Sequence, residues 1–298
     1  MAIIRTLNLT KKFGELVAVD RLDLEIAEGE CFGLLGPNGA GKTSLIRMIT
    51  AVSPPARGEI WVNGKNLKDY PRQAKALMGV VSQVDNLDTD LNVLQNLTTF
   101  ARYFSIPRDE AYRRSRDVLR LFQLEDRQKS RIKELSGGMK RRLLIARSLI
   151  NHPRILILDE PSIGLDPQAR HLVWQKLREL KTEGITQLLC TQNVEEATLL
   201  CDRVAIIHLG RVLAIDTPQA LISRYAGNKV WELEITSADS KGAIIRELTR
   251  RHLEFEEVGS IIQVFHADDD LSGILPTRWR SATLEDIFFR LTGRALIE

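Results

Sequence analysis

The sequence has no long hydrophobic run. A helix that crosses a bilayer needs about 20 mostly apolar residues. The longest stretches here without Asp, Glu, Lys or Arg are 11 residues, such as Cys31 to Gly41. The start, Met1-Ala2-Ile3-Ile4-Arg5, lacks the basic lead, long apolar core and cleavage site of a secretory signal. Both absences predict a chain that stays in the cytoplasm. Cysteine is scarce as well. Cys31, Cys190 and Cys201 are widely spaced, and no metal-ligand pattern joins them. They read as small core residues. Charge of one sign is not in excess. A net charge of +3 is too small to argue for nucleic acid, although it suits a protein near an anionic membrane surface. Repeats and low-complexity tracts are missing too. What remains is an ordinary globular composition, 44% hydrophobic and 27% charged. At 298 residues the chain has room for one large domain and a small one.

Hydrophobic patterning divides the chain. Apolar and polar residues alternate over the first 30 positions, as in Leu22-Asp23-Leu24-Glu25-Ile26, which predicts half-buried antiparallel strands. Cys31 to Leu35 is a short apolar run that leads into a Gly-rich loop, and helical character follows at Leu45 to Ile49. Residues from about 84 to 150 read as mainly helical. Three short apolar runs come later, Ile155 to Leu158, Gln187 to Cys190 and Val204 to Ile207, with a helical stretch from Gln168 to Lys181. Buried strands alternating with helices imply a parallel sheet covered on both faces. The pattern breaks at Tyr225-Ala226-Gly227-Asn228. Beyond it come a strand (Val230 to Ile235), a helix (Lys241 to Arg251), two strands (Phe255 to Val258 and Ile261 to Phe265) and a last helix (Leu284 to Leu291).

Three elements carry chemistry. Gly36-Pro37-Asn38-Gly39-Ala40-Gly41-Lys42-Thr43-Ser44 fits G-x-x-x-x-G-K-[ST] between a strand and a helix. Its glycines let successive backbone N–H groups curl around an anion, and the helix N-terminus adds partial positive charge. In such a loop Lys42 reaches the β- and γ-phosphates and the Thr43 hydroxyl ligates Mg²⁺. The spacing does not match G-x-G-x-x-G, which disfavours a dinucleotide-dependent redox enzyme. Ile155-Leu156-Ile157-Leu158-Asp159-Glu160-Pro161 places two carboxylates at the C-terminal end of a buried strand. Asp159 suits the magnesium shell, and Glu160 suits a general base for the attacking water. Leu135-Ser136-Gly137-Gly138-Met139 is a second helix start, with a capping hydroxyl and bare amides that could bind another phosphate. The Lys140-Arg141-Arg142 that follows reads as a solvated helix face. Nucleic-acid contact there is weak without an aromatic platform.

At these residues the sequence resembles the ABC ATPases over about residues 3 to 225, and Ser136-Gly137-Gly138 looks like their signature motif. The resemblance implies a P-loop NTPase (ABC ATPase) core of α/β class over residues 1–226. That core has an antiparallel β subdomain and a helical subdomain at about 84–150. A small C-terminal α+β domain would cover residues 227–298. Two copies would pair head to tail, with the signature of one closing on the γ-phosphate held by the other. Phe13 matches the aromatic that stacks on adenine. Gln83 matches the glutamine that touches Mg²⁺ and relays motion to a membrane subunit. Asp166, in Gly164-Leu165-Asp166-Pro167, matches the loop that crosses the dimer interface. ATP and Mg²⁺ are the implied cofactors.

A finer resemblance, to exporter ATPases of the nodulation-factor and daunorubicin-resistance type, rests on three stretches. They are Arg141-Arg142, Asp166-Pro167-Gln168-Ala169-Arg170-His171, and the ending Thr283 to Gly293. It implies a peripheral subunit on the cytoplasmic face of the plasma (inner) membrane. A separate transmembrane permease would recognise the cargo, and nucleic acid is not an expected partner. DNA-repair relatives insert long coiled coils between loop and signature, whereas only about 90 residues separate them here, and translation-type relatives carry two cassettes.

One position departs from the family. Its histidine after the next core strand falls on Gln192, in Cys190-Thr191-Gln192-Asn193, with Glu195-Glu196-Ala197 fixing the register. Glutamine donates a hydrogen bond but cannot become cationic or take a proton as imidazole does. Slower turnover is expected, toward the lower end of the roughly 10²- to 10⁴-fold typical for losing such a group. A regulatory, low-turnover subunit is the alternative that Gln192 raises. Retained Glu160 and an intact signature argue against it.

Overall fold

The computed structural model describes residues 1–235, 238–267, 277–293 and 296. Two long strands, β1 (Ala2–Phe13) and β2 (Leu16–Ala27), form an antiparallel pair with Ile4 opposite Ile26 and Thr6 opposite Leu24. From Leu22 to Ala27 burial alternates as the sequence dictates, whereas β1 buries Ile3 with Ile4 and Leu9 with Thr10 where its register to β2 shifts. Strand β3 (Cys31–Leu35) is buried at every residue and feeds α1 (Lys42–Ile49) through the Gly-rich loop. Next come β4 (Arg57–Val62), the two-residue β5 (Lys65–Asn66), α2 (Pro71–Ala76) and β6 (Met78–Val81).

Three helices follow: α3 (Val93–Arg102), α4 (Arg108–Leu121) and α5 (Gly137–Ser148). The start of α3 is fixed by a reciprocal cap. Asn92 Oδ1 accepts from the Gln95 amide, and Gln95 Oε1 accepts from the Asn92 amide. The chain then alternates β7 (Ile155–Asp159), α6 (Pro167–Thr182), β8 (Thr186–Thr191), α7 (Val194–Leu200) and β9 (Arg203–His208), and continues into β10 (Arg211–Asp216).

One sheet has the order β10-β9-β3-β8-β7-β6, and its pairs β3/β9, β3/β8, β7/β8 and β6/β7 are parallel. A second sheet, β2-β1-β4-β5, is antiparallel. The central parallel strands β3, β7 and β8 are buried at every residue, with apolar middles and polar residues such as Thr186, Gln187, Thr191 and Asp159 toward their ends. Phe32, Leu34, Ile157, Leu188 and Trp174 are fully buried in this core. The sheet order sets β3 between β8 and β9, so the phosphate-type loop and the carboxylates after β7 emerge at the same C-terminal edge.

Backbone contacts divide the chain into Met1–Leu213 and Ala214–Glu298. The second unit holds α8 (Pro218–Tyr225), β11 (Lys229–Glu234), α9 (Ala238–Arg250), β12 (Glu254–Val258), β13 (Ile261–Phe265), β14 (Thr277–Ser281) and α10 (Leu284–Thr292). Its antiparallel sheet runs β12-β13-β11-β14. Ile244 and Leu248 of α9 pack on Trp231, Leu233, Ile262 and Val264. This unit begins ahead of the sequence break at 226–227, because α8 packs on α10 and the Arg290 guanidinium donates to the Tyr225 carbonyl. Strand β14, Thr-Arg-Trp-Arg-Ser, is absent from the sequence reading. Its arginines hide the alternation, yet Arg278 and Arg280 both reach Glu232 of the neighbouring strand.

Candidate nucleotide-binding site

The loop between β3 and α1 borders an open cleft of about 630 Å³, its mouth included. Pro37, Asn38, Gly39, Gly41, Lys42, Thr43 and Ser44 line it, with Phe13, Gln83, Asp159 and Glu160. Gly36 and Ala40 sit behind the loop. A Cβ on Gly36 would lie 2.3 Å from the Ile207 carbonyl oxygen, and Ala40 is buried. Gly41 has φ +107°, and a Cβ there would lie 2.4 Å from the Ala18 carbonyl oxygen. Only glycine fits that turn. Phe13 is half-exposed at the end of the β1–β2 hairpin, with Lys11 Nζ 5.2 Å from its ring centroid. Leu16 and Ala18 of β2 join it along the cleft. Both escaped the sequence reading. The pairing of Phe13 with Leu16 across a two-residue turn is the signal that could have found Leu16.

The ionisable groups meet at the bottom of the loop. Lys42 is buried, donates to the Gly36 carbonyl and to the Pro37 carbonyl at 3.1 Å, and lies 3.3 Å from Glu160 Oε1. Thr43 Oγ1 donates to Asp159 Oδ2 at 3.1 Å. Burial raises the Glu160 pKa above the ordinary carboxylate range. The Lys42 charge and a hydrogen bond from the Gln192 amide oppose that rise. Burial likewise raises Asp159, against the Thr43 hydrogen bond and the charges of Lys42 and Arg141. Glu160 also has φ +49°, a left-handed backbone that costs a non-glycine residue roughly 1–2 kcal/mol. Such strain persists only where the surroundings over-determine it.

Asp159 Oδ1 is buried and has no hydrogen-bond partner among the described residues. With the adjacent Thr43 hydroxyl it offers the hard oxygen donors that Mg²⁺ takes. The residues present therefore fit that ion. Gln83 borders the same cleft, just after β6.

Gln192 follows β8 and is partly buried. Its backbone amide donates to Glu160 Oε2 at 3.3 Å. Next to it, Asn193 caps α7 by accepting from the Glu196 amide at 3.0 Å. Glu196 is fully buried. Its Oε1 accepts from Trp174 Nε1 at 2.9 Å, while Oε2 has no partner among the described residues.

The signature residues lie elsewhere on the same unit. Ser136 Oγ accepts from the Met139 amide at 3.2 Å and so caps α5. Ser136 and Gly137 are exposed, and Gly138 is partly so. None of the three lines the cleft. Asp166 is exposed and caps α6 by accepting from the Ala169 amide at 2.9 Å. The reading of Lys140-Arg141-Arg142 as a solvated face is corrected. Arg141 is buried and donates to four main-chain carbonyls, and Arg142 is half-buried with a bond to the Phe122 carbonyl. The signal was present: residues 141, 144, 145 and 148 share one helical face, and Leu144, Ile145 and Ser148 on it are buried.

A phosphate-binding loop, paired carboxylates at the same end of another strand of the sheet and a helical insertion together define a nucleoside triphosphatase. Comparison with known proteins agrees. The model of the ABC transporter family matches residues 19–163. Nod factor export ATP-binding protein I of Cupriavidus metallidurans is 41% identical over 303 residues, covering 99% of each chain. Its counterpart in Rhizobium meliloti is 43% identical, covering 97% of this chain and 88% of its own. Among solved structures, a dimeric ATP-binding cassette bound to ADP and Pi in a post-hydrolysis state superposes with TM-score 0.67 and 27% identity. The match covers 72% of this chain and 98% of that one. CbiO1 of Clostridium perfringens, part of an ABC transporter complex, gives 0.68 and 26%, covering 84% and 95%. The chain belongs to the ATP-binding proteins of the ABC transporter family and is an ATPase.

Proposed function

We propose that this chain is the motor subunit of an ABC exporter and powers a separate membrane permease by ATP-driven pairing of two copies. The observation that carries the reading is the nearly full-length similarity to Nod factor export ATP-binding proteins. Among the described residues no helix is long and apolar enough to cross a membrane, which is consistent with a peripheral place on the cytoplasmic face beside a permease. The permease recognises the cargo. Pairing is supported by the position of Ser136, Gly137 and Gly138, which are outside the cleft of their own chain and free to face a second copy.

In this reading Met1–Leu213 carries the ATPase domain and Ala214–Glu298 an accessory domain. Phe13 stacks on the adenine, and the amides of residues 38–43 with Lys42 hold the phosphates. Thr43, Asp159 and Gln83 would hold Mg²⁺, which would supply positive charge to offset that of the phosphates. Glu160 takes the proton of the attacking water. Burial already raises its pKa, which makes it a better proton acceptor. Gln192 orients that carboxylate through its backbone amide. Asp166 stands at the edge that meets the second copy.

A second reading, a low-turnover regulatory subunit, is favoured by one observation. Gln192 meets Glu160 through its main-chain amide. Size exclusion of a Glu160→Gln variant with ATP separates the two. A stable homodimer supports the motor reading, whereas a persistent monomer would favour a regulatory subunit paired with a different chain. Co-purification of a membrane protein with the tagged chain tests the permease partnership directly.

A further inference from the structure

Arg141 lies in the second turn of α5, the helix that begins at the signature residues. A helix that starts in a solvent-exposed motif has no evident need for a buried guanidinium. Yet Arg141 is only 6% exposed and spends its donors on main-chain carbonyls alone. Nε donates to Pro161 at 2.8 Å and Nη1 to Ser82 at 2.7 Å. Nη2 donates to Asp159 at 2.6 Å and to Glu160 at 2.8 Å. Three of these carbonyls are consecutive and span the left-handed turn at Glu160. The fourth immediately precedes Gln83.

We infer that Arg141 is a positioning residue for ATP hydrolysis: its planar fork fixes the turn at Glu160 and thereby aims the Glu160 carboxylate. The inference rests on the reading of Glu160 as the proton acceptor. Without the fork, the carbonyls of Asp159 and Pro161 lose the guanidinium that pairs them and that of Glu160 keeps only the Ile163 amide at 3.3 Å, so the segment has to move to satisfy them. The φ of +49° at Glu160 then loses what holds it. Because the same guanidinium holds Ser82, the turn at Glu160 and the start of the Gln83 loop share one anchor on the signature helix. Lysine cannot replace it, since an ammonium is a point charge without the fork. The buried cation is tolerated because Glu196, Asp159, Glu160 and Asp85 lie near it and counter the cost of burial.

Two variants test this, Arg141→Lys and Arg141→Gln, each alone and combined with Glu160→Gln. The readouts are kcat, the Kd for ATP and near-ultraviolet circular dichroism. A misplaced reacting group costs up to roughly 100-fold. We expect kcat to fall roughly 10- to 100-fold in Arg141→Lys while the Kd for ATP stays within about threefold. In the Glu160→Gln background neither Arg141 change should slow the residual turnover further, because the group it positions is gone. Two results would overturn the positioning role: kcat retained in both variants, or equal losses with and without Glu160. Loss of the folded signal in both would also overturn it, in favour of a purely structural arginine. If Glu160→Gln alone keeps full turnover, the reading of Glu160 fails instead.

Discussion

Trp174→Phe is the substitution whose cost the structure defines best. The indole is fully buried, and its Nε1 donates at 2.9 Å to the fully buried Glu196 carboxylate, whose other oxygen has no hydrogen-bond partner among the described residues. Phenylalanine keeps most of the apolar contact and removes that donor. A hydrogen bond to a charged group contributes about 1.5–3 kcal/mol. The smaller ring adds a cavity cost of about 1 kcal/mol at most. The sum is a loss of roughly 1.5–4 kcal/mol. A double-mutant cycle isolates the polar part. Glu196→Met removes the acceptor while keeping the volume, so in that background Trp174→Phe should cost only about 1 kcal/mol. Urea unfolding followed by far-ultraviolet circular dichroism measures all four corners. A coupling energy below about 0.5 kcal/mol would refute the reasoning, since independent sites add to within that margin.

Other outcomes are equally specific. Gln192→His should raise the steady-state ATPase rate roughly 100-fold, because a ring that can take a proton then stands at the position whose amide meets Glu160. An unchanged rate would mean that the main-chain contact already suffices. Gly79→Ala should destabilise the protein by roughly 1–3 kcal/mol. The added Cβ would lie 2.2 Å from the Ser148 carbonyl oxygen and 3.1 Å from Pro153 Cγ, so an unshifted melting midpoint would contradict that contact. The Glu110 carboxyl is held down to about 2 by hydrogen bonds from Arg113 and Arg114. Its folded-state pKa is depressed, so its contribution is complete above the usual value of 4.5 and lost as pH falls through about 2. Titration followed by carbon NMR checks this, and a midpoint near 4.5 would contradict it.

Much of the fold and site was legible in the sequence, for a physical reason. The loop from Gly36 to Ser44 and the run from Ile155 to Pro161 are contiguous, and each needs specific residues at fixed spacing. Buried parallel strands announce themselves as unbroken apolar runs, as at Ile155 to Leu158. Missed features depended on partners distant in sequence. Arg141 meets Ser82 and residues 159–161 only because β6 and β7 are neighbours in the sheet. Glu196 reads as a helix-face acid until Trp174 of α6 is seen beside it. Strand β14 was hidden because its alternate positions carry arginines, whose charges are matched by Glu232 across the pair and Asp286 of α10.

The left-handed backbone at Glu160 sets chemistry and durability against each other. That conformation suits Gly or Asn, and any other residue there costs about 1 kcal/mol or more. A library of this gene selected only for heat resistance should therefore accumulate Gly or Asn at position 160. Those survivors would be sturdier proteins that no longer turn over ATP. An engineer who wants a tougher transporter motor should hold that codon fixed and look for stability elsewhere.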